Sequence, residues 1–217
     1  MRDFRLYVIT GEEYHPGRDL LEVMEEAIRG GADNVQLRDK RGTKREVLRK
    51  ARALRELTRR YGVTFIVNDH VDIALACDAD GVHLGQDDLP LPEARHILGD
   101  DKIIGVSTHA IEEARRAEAE GADYIGVGPV FPTKTKENAA PVTTAYVRQV
   151  AAEIRIPFVA IGGITLDNVG QVLEAGARRI CAVSAIVGSA DVRGTCEAFR
   201  RMIDRYWERD EAKGDRT

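Results

Sequence analysis

The sequence predicts one α/β domain, a closed (βα)8 barrel of the TIM type over residues 1–210, followed by a polar tail over 211–217. Three observations predict it. Short apolar runs alternate with amphipathic stretches along the chain, the pattern of a parallel sheet wrapped by helices. Eight such units fit within 217 residues, a length close to the ~200–250 residues at which single barrels commonly close. A helix-to-strand motif also recurs: Gly31-Ala32-Asp33, Asp78-Ala79-Asp80, Gly121-Ala122-Asp123 and Gly176-Ala177-Arg178. It precedes the second, fourth, sixth and eighth strands, so a unit of two βα pairs is used four times. Its leading Gly or Asp suits the left-handed residue that ends a helix.

The strands are expected at Leu6–Thr10, Asn34–Arg38, Thr64–Asn68, Gly81–Leu84, Ile103–Ser107, Tyr124–Gly128, Phe158–Gly162 and Ile180–Ser184. Helical faces lie between them. Leu20, Val23, Met24 and Ala27 make the first, and Val47, Ala51, Leu54 and Leu57 the second. Ile111, Ala114 and Ala117 make another, and Val169, Val172 and Leu173 a fourth. Thr43-Lys44-Arg45-Glu46 is a capping-box signature for the second helix. No linker-like stretch interrupts the chain.

Composition narrows the function. A net charge of -4 argues against a general nucleic-acid or membrane surface, so basic residues that matter must act locally. Cys77, Cys181 and Cys196 are odd in number and lack C-x-x-C spacing, which argues against a disulfide framework or zinc site and fits a reducing cytoplasm. No leader is expected at Met1-Arg2-Asp3-Phe4, and no apolar run approaches the ~18 residues of a membrane span. Apolar residues on the outer helices fit either a core or the interface of a homo-oligomer.

In such a barrel the reactive groups sit at the C-terminal ends of the strands. Strand two ends Gln36-Leu37-Arg38-Asp39-Lys40, and alternation puts Gln36, Arg38 and Lys40 on one face, with Val35 and Leu37 on the other. An amide and two cations at a barrel mouth suit an anion such as a diphosphate; pairing with nearby carboxylates is the alternative. Asn68-Asp69 ends strand three and Asp87-Asp88 follows strand four. Carboxylates there suit Mg²⁺, though such residues also serve in turns and caps. Ser107 and Thr108 either cap the next helix or bind phosphate, and His109 has no single reading.

The turns Gly162-Gly163 after strand seven and Val183-Ser184 to Gly188 after strand eight suit a phosphate monoester; simple tight βα turns are the alternative. Strand six runs into Gly-Pro-Val-Phe-Pro and then Thr133-Lys134-Thr135-Lys136, hydroxyl and ammonium donors on a pinned loop that suit an anion; a solvated basic loop is the alternative. One mouth with two anion grips suggests a transfer reaction between two phosphorylated substrates. The segment from Pro132 to Pro141 is long for a βα loop and is expected to close over them.

Taken together, Gln36 to Lys40, Asn68-Asp69, Gly81 to Asp88, Gly105 to His109, Gly126 to Lys136, Ile161 to Ile164 and Val183 to Ile186 resemble the thiamine phosphate synthase family, in the family's order and over most of the chain. One departure is Asp39, where the family usually carries Glu. The resemblance implies a transferase that joins a hydroxymethylpyrimidine diphosphate to a hydroxyethylthiazole phosphate, releasing pyrophosphate. It implies that Gln36, Leu37, Arg38, Asp39, Lys40, Asn68, Ser107 and Lys136 hold the pyrimidine diphosphate. Thr133, Lys134, Thr135, Gly163, Val183 and Ser184 would hold the thiazole phosphate. Asp69 and Asp87 would bind Mg²⁺, and Arg38, Ser107 and Lys136 would act at the leaving group.

Three other readings use the same barrel. Another phosphate-binding barrel, such as an isomerase or lyase of aromatic amino-acid synthesis, would explain the Gly162-Gly163 turn but not the Thr133-Lys134-Thr135-Lys136 loop. A thiazole tautomerase would need the monophosphate cradle but no metal-diphosphate site, so Lys40, Asp69, Asp87 and Lys136 speak against it. A non-catalytic barrel binding a phosphorylated ligand would leave the leaving-group ligands unexplained.

Overall fold

The computed structural model describes residues 4–133 and 140–214. Eight parallel strands close on themselves: β1 Leu6–Ile9, β2 Asn34–Leu37, β3 Thr64–Asn68, β4 Gly81–Leu84, β5 Ile103–Thr108, β6 Tyr124–Val127, β7 Phe158–Ile161 and β8 Ile180–Ala182. They pair in sequence order, and Leu6, Tyr7 and Val8 pair with Ile180, Cys181 and Ala182 to complete the ring. The helices that wrap it are α1 Leu20–Arg29, α2 Lys44–Tyr61, α3 Val71–Ala76, α4 Leu91–Leu98, α5 Ile111–Ala119, α6 Thr143–Glu153, α7 Val169–Glu174, α8 Ser184–Val187 and α9 Val192–Gly214.

Every strand starts where the apolar pattern places it, and the differences lie at the C-terminal ends. β8 stops at Ala182 because Ser184 begins the single turn of α8. β5 runs one residue further because Thr108 pairs with Val127 of β6. The capping box of α2 forms as expected, with the Thr43 hydroxyl accepting from the Glu46 amide and Glu46 accepting from the Thr43 amide at 2.8 Å. Within the tail expected over 211–217, residues 211–214 continue α9, in keeping with the helix propensity of Glu, Ala and Lys, and residues 215–217 lie outside the described residues.

The fourfold motif closes the N-terminal end of the barrel. Gly31, Asp78, Gly121 and Gly176 all adopt positive φ, at 103°, 52°, 87° and 105°. The aspartate two residues later turns back onto the start of a neighbouring strand. Asp33 accepts from the Arg5 and Leu6 amides, Asp80 from Phe65 and Asp123 from Ile104, all at 2.7–2.9 Å. Arg200, Arg55 and Arg95 back these carboxylates at 2.7, 2.8 and 2.6 Å. In the fourth copy the carbonyl of Arg178 accepts from the Trp207 indole of α9 at 2.8 Å. Burial raises the Asp33 carboxyl above its ordinary range, although the Arg5 amide and Arg200 oppose the rise.

Inside the ring, Phe4, Tyr7 and Tyr124 are at most 2% exposed and meet edge-on or tilted at 5.8–6.1 Å. Cys77, Cys181 and Cys196 are unbridged and buried. Among the described residues no helix is long and apolar enough to cross a membrane.

Candidate active site

The C-terminal ends of all eight strands surround one cavity. From β2, Gln36, Arg38 and Lys40 line it, as alternation predicts. The Arg38 backbone is fixed by its neighbour on the β1 side: its amide donates to the Thr10 hydroxyl at 2.9 Å, and that hydroxyl donates back to the Arg38 carbonyl at 3.2 Å. Asn68, Ser107, Thr133, Gly163, Val183 and Ser184 also line the cavity.

Leu37 and Asp39 do not. Leu37 is 1% exposed in the core, because its side chain alternates to the opposite face from Gln36 and Arg38. Asp39 accepts from the Arg41 and Gly42 amides and from the Lys50 ammonium at 2.8 Å, so it holds the loop that delivers Lys40. Burial pushes the Asp39 carboxyl up, but Lys50 and those amides outweigh it and hold the group below its ordinary range. Lys134, Thr135 and Lys136, together with the closure expected of the 132–141 loop, lie outside the described residues.

The acidic pair differs from expectation by one residue. Asp87 is exposed and does not line the cavity, whereas Asp88 does. The chain leaves β4 in a turn at Gly85 that Asp88 closes, accepting the Gly85 amide at 2.7 Å. This brings Asp88 to Asp69. Burial pushes the Asp69 carboxyl up, and its hydrogen bond to Asp88 and the Asp88 charge push it further, with Lys40 at 3.4 Å only partly opposing. Asp69 also holds φ at 61°, uncommon for a residue with a side chain, while its amide donates to the His83 carbonyl at 2.9 Å. Two crowded carboxylates, one with a raised pKa, are a donor set that a hard divalent cation would relieve. Among the described residues no group of three or more His, Cys, Asp or Glu forms a metal cluster, so water and phosphate oxygens would complete the shell.

Opposite this corner lies the glycine turn. Gly162 and Gly163 have positive φ, at 99° and 63°. A Cβ on Gly162 would meet Pro129 at 2.3 Å, and one on Gly163 the Pro132 carbonyl at 2.5 Å. The turn is therefore glycine because the proline-bounded segment after β6 packs directly on it, and both glycines remain on the cavity wall.

Ser107 and Thr108 do not cap α5, whose N-cap is Ala110 without a side-chain bond. The Thr108 hydroxyl instead donates to the Gly126 carbonyl and accepts from Tyr146. Ser107 meets the His83 Nε2 at 2.9 Å. His109 donates Nδ1–H to the Gly128 carbonyl at 2.5 Å, which ties the end of β5 to the segment after β6. His83 is a polar wall residue outside the sequence expectation, as is Thr165. Its signal was a polar residue between Val82 and Leu84, on the inward side of an alternating strand.

Residues 6–186 match the family model described as thiamine monophosphate synthase. The chain is 68% identical to the thiamine-phosphate synthase of Halalkalibacterium halodurans over 94% of this chain and 97% of that one. It is 63% identical to that of Shouchella clausii over 94% and 98%. Among solved structures it resembles a thiamine phosphate pyrophosphorylase from Pyrococcus furiosus, with a TM-score of 0.87 and 42% identity over 94% and 96% of the two chains. The chain belongs to the thiamine monophosphate synthase family.

Proposed function

We propose that this chain condenses 4-amino-2-methyl-5-(diphosphooxymethyl)pyrimidine with 4-methyl-5-(2-phosphooxyethyl)thiazole, or its carboxylated form, to give thiamine phosphate and pyrophosphate. The observation that carries the reading is a single cavity with two kinds of anion grip. Arg38, Lys40, Ser107 and the Asp69–Asp88 corner stand on one side, and Gly163, Val183 and Ser184 on the other. The family membership and its near-complete coverage support the same reaction.

The bond that breaks is the methylene C–O bond of the pyrimidine diphosphate. The electron pair leaves with the diphosphate, and the thiazole nitrogen attacks the carbon cation. Arg38 and Lys40 would hold the diphosphate and stabilise the charge growing on it. Asp69 and Asp88, rather than Asp87, would hold Mg²⁺, which would supply further charge stabilisation for the leaving group. Gln36 and Asn68 would orient the pyrimidine half, Ser107 would donate to its diphosphate, and Thr133, Gly163, Val183 and Ser184 would hold the thiazole phosphate. Lys134, Thr135 and Lys136 complete the proposal from sequence alone. No side-chain nucleophile is required, so positioning and electrostatics carry the rate. Small phosphorylated substrates and unbridged cysteines fit a cytoplasmic setting.

The test is to supply the purified protein with both substrates and Mg²⁺ and to follow thiamine phosphate and pyrophosphate together. Stoichiometric appearance of both, abolished by a chelator, is expected. Binding of the thiazole phosphate without product would overturn the reading.

A further inference from the structure

We propose that Tyr7, Tyr124 and His83 are positioning residues: with Gln36 they form a directional hydrogen-bond chain through the barrel interior that leaves the Ser107 hydroxyl as a donor into the cavity. This rests on the proposed function, in which Ser107 faces an anionic substrate.

The chain is continuous. Gln36 Nε2 lies 2.7 Å from the Tyr7 hydroxyl, Tyr7 3.0 Å from the Tyr124 hydroxyl, Tyr124 2.9 Å from His83 Nδ1, and His83 Nε2 2.9 Å from Ser107 Oγ. Its sense follows from its two ends. An amide nitrogen only donates, so Tyr7 accepts from Gln36 and turns its own proton to Tyr124. Tyr124 in turn donates to His83 Nδ1, which fixes the neutral tautomer with hydrogen on Nε2. That hydrogen goes to Ser107 Oγ, and the serine proton is left for the cavity. A phosphate oxygen there only accepts, so the far end demands the same sense.

The surroundings hold these groups in place. Gln36, Tyr7 and Tyr124 are at most 1% exposed, and burial raises both tyrosines above their ordinary range, so they stay protonated donors. A Cβ at residue 105 would lie 2.1 Å from the Tyr124 ring, and one at residue 126 would lie 3.3 Å from the His83 ring, so Gly105 and Gly126 make room for both. The Ser107 carbonyl accepts from Gln86 at 2.7 Å, which pins its backbone. Successive bonds in a buried chain polarise one another, so a hydroxyl at the bottom of the barrel affects the strength of the donor at its mouth.

The experiment has two arms. In the substrate-free protein, ¹⁵N NMR should find His83 with hydrogen on Nε2, and Tyr124→Phe should abolish that preference. This arm needs no turnover, so it stands or falls apart from the proposed reaction. In the kinetic arm, Tyr124→Phe should lower kcat/KM for the pyrimidine diphosphate about tenfold, the scale of one hydrogen bond to a charged group. In a Ser107→Ala background the same substitution should change nothing further. Hydrogen on Nδ1 of His83, or an equal loss in both backgrounds, would overturn the proposal. If Tyr124→Phe does not fold, the tautomer of the unaltered protein still decides.

Discussion

Asp88 and Asp87 are adjacent and chemically identical, so replacing each by asparagine isolates position. Asp88 stands on the cavity wall against Asp69, while Asp87 is exposed and away from it. Two unit charges about 4 Å apart interact by about 4 kcal/mol at an effective dielectric near 20, and a divalent cation feels each carboxylate at least that strongly. The asparagine oxygen remains a ligand and still accepts the Gly85 amide, which returns part of the loss. A net weakening of about 2–3 kcal/mol gives an increase of about 30- to 150-fold in the Mg²⁺ needed for half-maximal rate. Asp87→Asn alters only surface charge and should change that requirement less than about twofold. The assay is initial rate against free Mg²⁺, with melting temperature as a check on folding. If Asp87→Asn raises the requirement while Asp88→Asn leaves it at the unaltered value, the assignment of the cation to Asp69 and Asp88 is refuted.

Other outcomes follow from the same geometry. Because the folded-state pKa of Asp69 is raised, its ionisation opposes folding at neutral pH. Without metal, Asp69→Asn should be the more stable protein at neutral pH, and the difference should close as pH falls through the raised value; denaturant titrations at several pH values check this. Lys50→Met removes the ammonium that joins Asp39 to Glu12 and should destabilise the fold by about 1–2 kcal/mol. The depressed Asp39 carboxyl contributes stability that is lost as pH falls through its folded value, so the variant should also flatten that part of the acid limb. Gly105→Ala should cost about 1–3 kcal/mol or more in chemical denaturation because its Cβ meets the Tyr124 ring, whereas Gly170→Ala in α7, with open space around it, should stabilise by up to about 1 kcal/mol.

Periodicity carried the fold. The strand starts, the closed ring and the fourfold helix-to-strand motif are all local patterns, and a residue that ends a helix in the left-handed conformation is visible as Gly or Asp before the strand. The same alternation also placed Gln36, Arg38 and Lys40 correctly, and it argued against Leu37 as a cavity residue although the family resemblance included it. Turns were harder. Once the chain leaves β4 there is no fixed period, so which of Asp87 and Asp88 faces the mouth depends on the hydrogen bond to Gly85. Asp39 shows a different limit. It stands between two cavity residues, yet its partner Lys50 lies 11 residues on, in α2, and only packing reveals that they meet.

The two ends of the barrel solve different problems with similar residues. At the N-terminal end, Asp33, Asp80 and Asp123 each accept from a strand amide and from an arginine, so each carboxylate has its partners within the fold, although burial still raises Asp33. At the other end, Asp69 and Asp88 face each other, and among the described residues Lys40 pairs with Asp69 at 3.4 Å. The interior between them is not purely aliphatic. Filling it with Phe4, Tyr7 and Tyr124 buries large apolar area but brings two hydroxyls that need partners. Those partners are Gln36 and His83, both on the cavity wall, so these two hydroxyls are satisfied in the direction of the site. A core built this way couples packing to function. A change that displaces the Tyr124 ring should reach Ser107 even though it touches no substrate, which is why Gly105→Ala should impair kcat/KM as well as stability.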